Sequence, residues 1–489
     1  MSEGKRQLFG TDGIRGVAGE FPLTPESVYA IGRALGHDLL REAENARVVI
    51  GQDTRESSGW IADRLTAGLA SLGVEVESAG VITTPGVAYL AWSRGFAAGV
   101  VISASHNPWT DNGIKVFSRD GYKLPDAREL AIEREIFAVL NEGSPIEPNQ
   151  GTAAHPTLSQ GTRKDGAPAL DPTFASQNAR REGGAPSLPG RAELREAYIQ
   201  WLAASAGPEL RELRVLVDCA NGAATAEAPE LFRALGVQAT IVHAAPDGRN
   251  INEGCGALHP ATVAKMVAER PDEFDLGVTF DGDADRALFS DAQGRVVNGD
   301  GVMLAAGREM KARGVLAGDT VVGTTMSNMG LEVALRKDGI RLLRANVGDK
   351  YVLEEMQKTG ATLGGEQSGH ILFRDCEATT GDGLLTALRM MELMARSGKP
   401  LAELVGDLKV FPQTIQNVRV REKIPFAQVP EIQNAIETAE RELDGNGRVV
   451  VRYSGTEALA RVMVEAESEA KMKALADGIA GKIRQKLGA

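Results

Sequence analysis

The sequence predicts an α/β protein made of three similar α/β units and a smaller α+β lobe. Three observations carry that reading. Apolar, strand-like runs alternate with amphipathic helical stretches from residue 47 onward; the alternation starts afresh near residues 214 and 320; and its order changes after Phe411. At 489 residues the chain is too long for one ordinary core, so several domains are expected.

In the first unit, residues 47–50 read as a strand, 57–72 as an amphipathic helix, and 74–77 and 99–102 as strands. Such alternation argues for a largely parallel sheet covered by helices. The second unit opens with a strand at 214–218, continues through a helix at 223–235 and a strand at 239–242, and reaches an apolar run at 276–280. The third begins near 320–322 and closes with a strand at 361–363. Beyond it come a strand at 414–420, a helix at 429–443, strands at 449–452 and 460–464, and a helix at 467–487. That order suits a small α+β lobe, which could hinge as a lid and exclude water. Residues 143–190 are rich in Gly, Pro, Ala, Ser, Thr and Gln without apolar periodicity. They read as a long surface loop or disordered insertion in a linker, or alternatively as a partner-binding or oligomer-specific arm.

Lys and Arg total 54 against 66 Asp and Glu, a formal charge of −12, and there is no basic block or aromatic-interleaved stripe. Nucleic acid is therefore not an expected partner. There is no apolar run of membrane-spanning length, and MSEGKRQLFG lacks the apolar core of a signal peptide, so a soluble cytoplasmic protein is expected. The three cysteines, Cys219, Cys255 and Cys376, stand far apart and form no disulfide framework or metal-ligand spacing.

Four polar loops follow strand-like runs, at the edge where open α/β sheets place ligands. Ser105 and His106 follow the apolar run 97–102 within Ser-Ala-Ser-His-Asn-Pro. Ser105 is the first candidate nucleophile, against the simpler reading of a capping or turn serine. Asp281, Asp283 and Asp285 alternate along Asp-Gly-Asp-Ala-Asp-Arg. Three carboxylates so close are costly without a cation, and hard oxygen ligands suit Mg²⁺. A calcium loop fails, since Arg286 stands where Gly is needed and Ala292 where Glu is needed; a solvated acidic turn is the remaining alternative. In Gly-Gly-Glu-Gln-Ser-Gly-His, Glu366, Ser368 and His370 are donors and acceptors suited to sugar hydroxyls, with glycines permitting close backbone approach; read alone, the segment is only a polar loop. Arg452, Ser454, Gly455 and Thr456, with Arg461 beyond, carry the chemistry of phosphate capture; a tight inter-strand turn explains the same residues equally well.

In chain order these loops resemble the phosphoserine, DGDxDR metal, GExSG sugar and RxSGTE phosphate loops of the α-D-phosphohexomutases, and FGTDGIRG at residues 9–16 is a fifth likeness. Segments such as MSNMGLE, VGDKYVLEEM and GEQSGH make the resemblance strongest to the bacterial phosphoglucosamine mutase branch. It implies three related mixed α/β domains and a smaller C-terminal domain around a central cleft, divided here as 1–190, 191–298, 299–410 and 411–489. It implies an isomerase, specifically an intramolecular phosphotransferase, that binds small sugar phosphates and uses one Mg²⁺ held by Ser105, Asp281, Asp283 and Asp285. Glucosamine or glucose 1,6-bisphosphate would serve as intermediate and activator, and a homodimer is possible. Ser105 would carry phosphate. Arg15 and Arg286 would neutralise the transferring group, and Lys115, His106 and His370 are candidates for the general base. Lys115 ranks first, on the expectation that burial and cationic neighbours lower its pKa. Lys350, Arg452 and Arg461 would help bind the anionic substrate against the overall negative charge. Two positions depart from the family pattern: Ala458 where Pro is usual, and Tyr453 where Lys or Ala is more familiar. The alternatives are the same chemistry on mannose or glucose phosphates, a metal-dependent phosphatase, and a catalytically silent sugar-phosphate sensor.

Overall fold

The computed structural model describes residues 7–10, 12–141, 191–376, 378–454 and 458–488. The segment 143–190 expected as a loop or insertion lies outside them. Among the described residues the strands form four sheets. The first has six strands, in spatial order Phe9–Gly10, Gly13–Val17, Asp111–Ser118, Ala98–Ile102, Arg47–Gln52 and Glu75–Val81. The second runs Val296–Val297, Ala287–Asp291, Leu276–Phe280, Arg214–Asp218, Gln238–Val242. The third runs Arg341–Ala345, Thr320–Thr324, Leu363–Gly365, Ile371–Phe373, and the fourth Gln413–Arg419, Leu459–Ala466, Gly447–Tyr453.

The sheets are mixed, as the resemblance implies, which corrects the largely parallel arrangement argued from the alternation alone. Helical crossovers make Arg47–Gln52 parallel to both its neighbours and Arg214–Asp218 parallel to both of its own. The loops after Ile102, Phe280 and Gly365 are too short for a crossover, so the chain turns back antiparallel there. Tyr453 likewise leads into an antiparallel return. All four motif loops are thus hairpin connections. Ala98–Ile102 and Leu276–Phe280 are buried along their whole length, as wholly apolar strands covered on both faces should be.

Local signals agree with these elements. Thr83 caps the helix Thr84–Ser93 through a bond from the Gly86 N–H, and Pro85 suits its first turn. Asp382 caps Gly383–Ser397 in the same way, and that helix ends at left-handed Gly398. The second and third sheets share one continuous apolar core, from Tyr198, Phe232 and Phe280 to Leu363, Leu384 and Met391. The first sheet and the C-terminal lobe have cores of their own.

Polar contacts seat the first unit on the second. The Thr84 N–H donates to the Asp283 carbonyl at 3.0 Å, and the Thr83 N–H donates to Glu227 Oε1 at 3.3 Å. Glu227 is buried with its second oxygen unbonded, and that burial pushes its pKa up to about 8. The folded state keeps a proton that an unfolded glutamate, near pH 4.3, has released. The resulting stability is present below about pH 4 and is lost as the pH rises toward 8. Glu227→Gln retains the acceptor for Thr83, so it should raise the Tm at about pH 8.5 and leave it nearly unchanged at about pH 4. Melting curves at both pH values check this; equal shifts would mean that Glu227 does not keep its proton on folding.

Candidate active site

Ser105 sits in the hairpin after Ala98–Ile102, in the left-handed region at φ 54°. Its Oγ donates to Asp281 Oδ2 at 2.5 Å and lies 3.3 Å from His106 Nδ1. The loop backbone is held firmly. Ser105 N–H donates to Ser103 Oγ at 2.9 Å, and its carbonyl accepts from Arg55 at 3.1 Å and from Asn252 Nδ2 at 3.0 Å. The same two side chains reach the Asn107 carbonyl, at 2.6 and 3.3 Å. Arg55 is itself locked to Asp53, with both side chains fully buried. Sequence reasoning missed Arg55, Asp53 and Asn252. Gly282 passes so near that a Cβ there would lie 2.5 Å from the Ser105 carbonyl oxygen, which is why glycine separates the first two aspartates.

Asp281, Asp283 and Asp285 are buried, and one oxygen from each lies within 4.8 Å of the others. Burial, then the neighbouring carboxylates of Asp285 and Asp283, push Asp281 well above the usual carboxylate range. Asp283 Oδ2 accepts from Thr84 Oγ1 and from Lys115 at 2.7 Å, whereas Asp283 Oδ1 and Asp285 Oδ1 accept no hydrogen bond. Two buried, unsatisfied carboxylate oxygens beside a third carboxylate fit a hard divalent cation.

Lys115 is buried and lies 3.0 Å from Asp12, 2.7 Å from Asp283 and 3.3 Å from Asp285. The expected lowering of its pKa is reversed. Burial alone would lower it, but the carboxylates of Asp12, Asp283 and Asp285 outweigh that cost and hold the ammonium well above its ordinary value. His106 shows the opposite balance: burial, with Arg286 and Arg15 nearby, takes it down to about 4.

A chain of alternating charges continues across the units. Arg15 pairs with Asp12, and Lys123 bridges Asp12 at 2.5 Å and Asp349 at 2.6 Å. Asp349 lies 3.5 Å from His370 Nε2, and Asp285 lies 3.6 Å from His370 Nδ1. Burial opposes charge on His370, but these two carboxylates raise its pKa. Gly381 N–H points at Nε2 from 3.2 Å, which favours a ring carrying its proton on Nδ1, toward Asp285. His370 therefore faces Asp285 Oδ1 as an electrostatic neighbour, beyond hydrogen-bond distance. Asp12, Lys123 and Asp349 had no role in the sequence reading; Asp12 lies inside the FGTDGIRG segment, the one signal that pointed to it.

Arg286 is held strongly protonated: the cost of burial is outweighed by Asp281, Asp285 and Glu366. Glu366 Oε1 accepts from the Gly348 N–H at 2.9 Å, and the buried Ser368 Oγ has no hydrogen-bond partner. Lys350 is committed elsewhere: it donates to the Leu124 carbonyl at 2.9 Å, to Asp126, and to Glu129 at 3.4 Å. It fastens the helix Asp349–Thr359 onto the first unit. On the C-terminal lobe, exposed Arg452 stands directly across from Arg461 on the paired strand. Like charges in register repel and suit an anion between them. Lys423, also missed, donates to the Ser454 carbonyl at 2.6 Å. Tyr453 stacks on Phe426 at 4.4 Å and donates to the Ile424 carbonyl, so its departure from the family pattern serves packing. Gly455 and Thr456 lie outside the described residues.

Four descriptions match the chain: phosphoglucomutase/phosphomannomutase alpha/beta/alpha domain I over residues 6–142, domain II over 196–294, domain III over 298–411, and the C-terminal domain over 416–482. The chain belongs to the phosphoglucomutase/phosphomannomutase family. Among similar members of this family, a phosphoglucosamine mutase of Koribacter versatilis is 59% identical, covering 100% of this chain and 99% of the relative. One of Solibacter usitatus is 48% identical over 99% of both. A phosphoglucomutase/phosphomannomutase family protein of Burkholderia thailandensis shares the fold, with a TM-score of 0.72 at 23% identity, over 98% of this chain and 97% of that one. Aspergillus fumigatus N-acetylphosphoglucosamine mutase, solved with GlcNAc-6P and magnesium, aligns with a TM-score of 0.58 at 20% identity, over 99% of this chain and 96% of that one. Among the described residues no helix is long and apolar enough to cross a membrane.

Proposed function

We propose that this chain is a phosphoglucosamine mutase, interconverting glucosamine 6-phosphate and glucosamine 1-phosphate through phosphorylated Ser105 and a 1,6-bisphosphate. The observation that carries this reading is the Ser105 hydroxyl, held 2.5 Å from Asp281 at the edge of three carboxylates able to hold a metal. The 59% identity to a relative of that name supports the choice of sugar. The setting would be the cytoplasm, where the product feeds amino-sugar nucleotide and peptidoglycan precursor synthesis.

Arg452, Ser454, Gly455, Thr456 and Arg461 would clamp the phosphate already on the sugar. Glu366 and Ser368 would bind the ring hydroxyls or the amino-bearing edge. The free sugar hydroxyl attacks the phosphorus on Ser105; the bond from phosphorus to Oγ breaks as the new bond to the sugar oxygen forms. His106, neutral and beside Oγ, has a lone pair to take up the hydroxyl proton and hand it to the departing Oγ, whereas Lys115 is already protonated. The proton-acceptor role first given to Lys115 therefore passes to His106. Lys115, Arg15 and Arg286 would meet the transferring phosphoryl oxygens with fixed positive charge. One Mg²⁺ held by Asp281, Asp283, Asp285 and the Ser105 oxygen would withdraw further charge from that group. Turning the bisphosphate over presents its other phosphate to Ser105, and the reverse transfer regenerates the phosphoenzyme and releases product.

Rates measured with glucosamine, glucose and mannose phosphates under equal bisphosphate activation test the assignment. The expected preference in kcat/KM is at least about 100-fold for the amino sugar, of the size set by a few hydrogen bonds to a polar group. A mannose or glucose preference would reassign the substrate. Bulk release of inorganic phosphate would indicate a phosphatase, and binding without turnover a sensor.

A further inference from the structure

Outside the site described above, a second group of potential metal ligands lies in the second unit. Asp218 ends the strand Arg214–Asp218, and His243 directly follows the parallel neighbour Gln238–Val242, with Asp218 and Val242 in register. Cys255 precedes the short turn Gly256–Leu258. One ligand atom from each of the three lies within 4.8 Å of the others. We propose that Asp218, His243 and Cys255 form a metal site for a borderline-soft divalent ion of the zinc class, distinct from the magnesium-type aspartate cluster.

The donor set supports that ion class: one carboxylate oxygen, one imidazole nitrogen and one thiolate suit Zn²⁺ or Co²⁺ and disfavour Mg²⁺ and Ca²⁺. His243 Nδ1 stands 3.1 Å from Asp218 Oδ1, yet this buried nitrogen makes no hydrogen bond. The spacing is near the edge of a tetrahedral site, roughly 3.4 Å for bonds of about 2.0–2.1 Å. Asp218 is oriented in the way ligating carboxylates are, with Ala220 N–H donating to Oδ1 at 2.8 Å and Gly256 N–H to Oδ2 at 2.9 Å. Cys255 is fully buried, while the His243 side chain keeps 31% of its exposure and provides a route of entry. Metal binding replaces the thiol proton, which leaves to solvent as the metal–sulfur bond forms. The bound ion would join two strand ends to the segment 252–256. Within that segment, Asn252 N–H donates to the Ala220 carbonyl at 2.9 Å, and its side chain holds the Ser105 carbonyl. The site would thus stiffen an anchor of the Ser105 loop.

The test is a Co²⁺ titration of the full chain in excess Mg²⁺, which occupies the hard-oxygen cluster and leaves the thiolate-to-cobalt band in the near ultraviolet as the readout. The expected result is a band saturating at about one equivalent. It should be absent in Cys255→Ser, weakened at least about tenfold in affinity in His243→Gln, and unchanged in Cys219→Ser and Asp283→Asn. No band, or a band that persists in Cys255→Ser, overturns the site. Should Cys255→Ser fail to fold, the partly exposed His243→Gln decides, and undiminished Co²⁺ affinity there overturns it equally.

Discussion

Ser105→Ala protein is expected to carry no phosphate and to lose mutase activity by about four to six orders of magnitude, the scale seen when a covalent nucleophile is removed. The loss should be confined to chemistry. Arg55 and Asn252 hold the loop through backbone carbonyls, which the substitution leaves in place. Alanine inherits the same φ of 54° that serine already tolerates, so the fold should change by no more than about 1 kcal/mol. Sugar-phosphate affinity, which the proposed mechanism assigns to the C-terminal lobe and the Glu366 loop, should change little. Intact-mass analysis before and after glucosamine 6-phosphate, with the phosphorylated peptide mapped, checks the first part, and single-turnover kinetics the second. Phosphate on another residue, or turnover near the parent's rate, would remove Ser105 from the mechanism.

Asp283→Asn should lower kcat by about 1,000-fold or more, since the charge stabilisation a bound cation gives a phosphoryl transition state is worth several kcal/mol. The substitution keeps an acceptor for Thr84 but removes one of three clustered negative charges. It also relieves the repulsion that pushes Asp281 upward. Magnesium should therefore raise the Tm of the parent and have little effect on the variant, because only a state that binds an ion is stabilised by it. A variant whose melting and activity still follow magnesium as the parent's do would show that the cation does not sit on these carboxylates.

The parts of the site legible in the sequence share one physical feature: their signals are local. Ser105, Asp281, Glu366 and Arg452 each lie within or beside a short polar loop after an apolar run, and each of those loops proves to be a hairpin connection. The helix-strand alternation is also local, and it located the units. Alternation alone does not give the antiparallel returns, which follow from loops shorter than a crossover needs. The charge chain from Arg15 through Asp12 and Lys123 to Asp349 and His370 was hidden, since Lys123 and Asp349 are 226 positions apart. The same distance explains the reversed expectation for Lys115: its pKa depends on Asp283 and Asp285, which arrive from 168 and 170 positions away. Lys350 sits in a telling segment, but its position at the start of a helix directs it to Asp126 and Glu129.

The apolar core shared by the second and third sheets bears on how the molecule comes apart. Neither sheet can be exposed to water without uncovering side chains that the other depends on, so the two should open as one cooperative block in native-state hydrogen exchange. The lobe beyond Phe411 keeps a separate core and meets its neighbour through polar links, among them Asn328 to the Phe411 carbonyl and Arg448 to the Thr325 carbonyl. Its amides should exchange by a cheaper opening of their own. The aspartate cluster and the Glu366 loop therefore rest on the slowest-exchanging part of the chain, while Arg452 and Arg461 rest on a part that can be released without unfolding it.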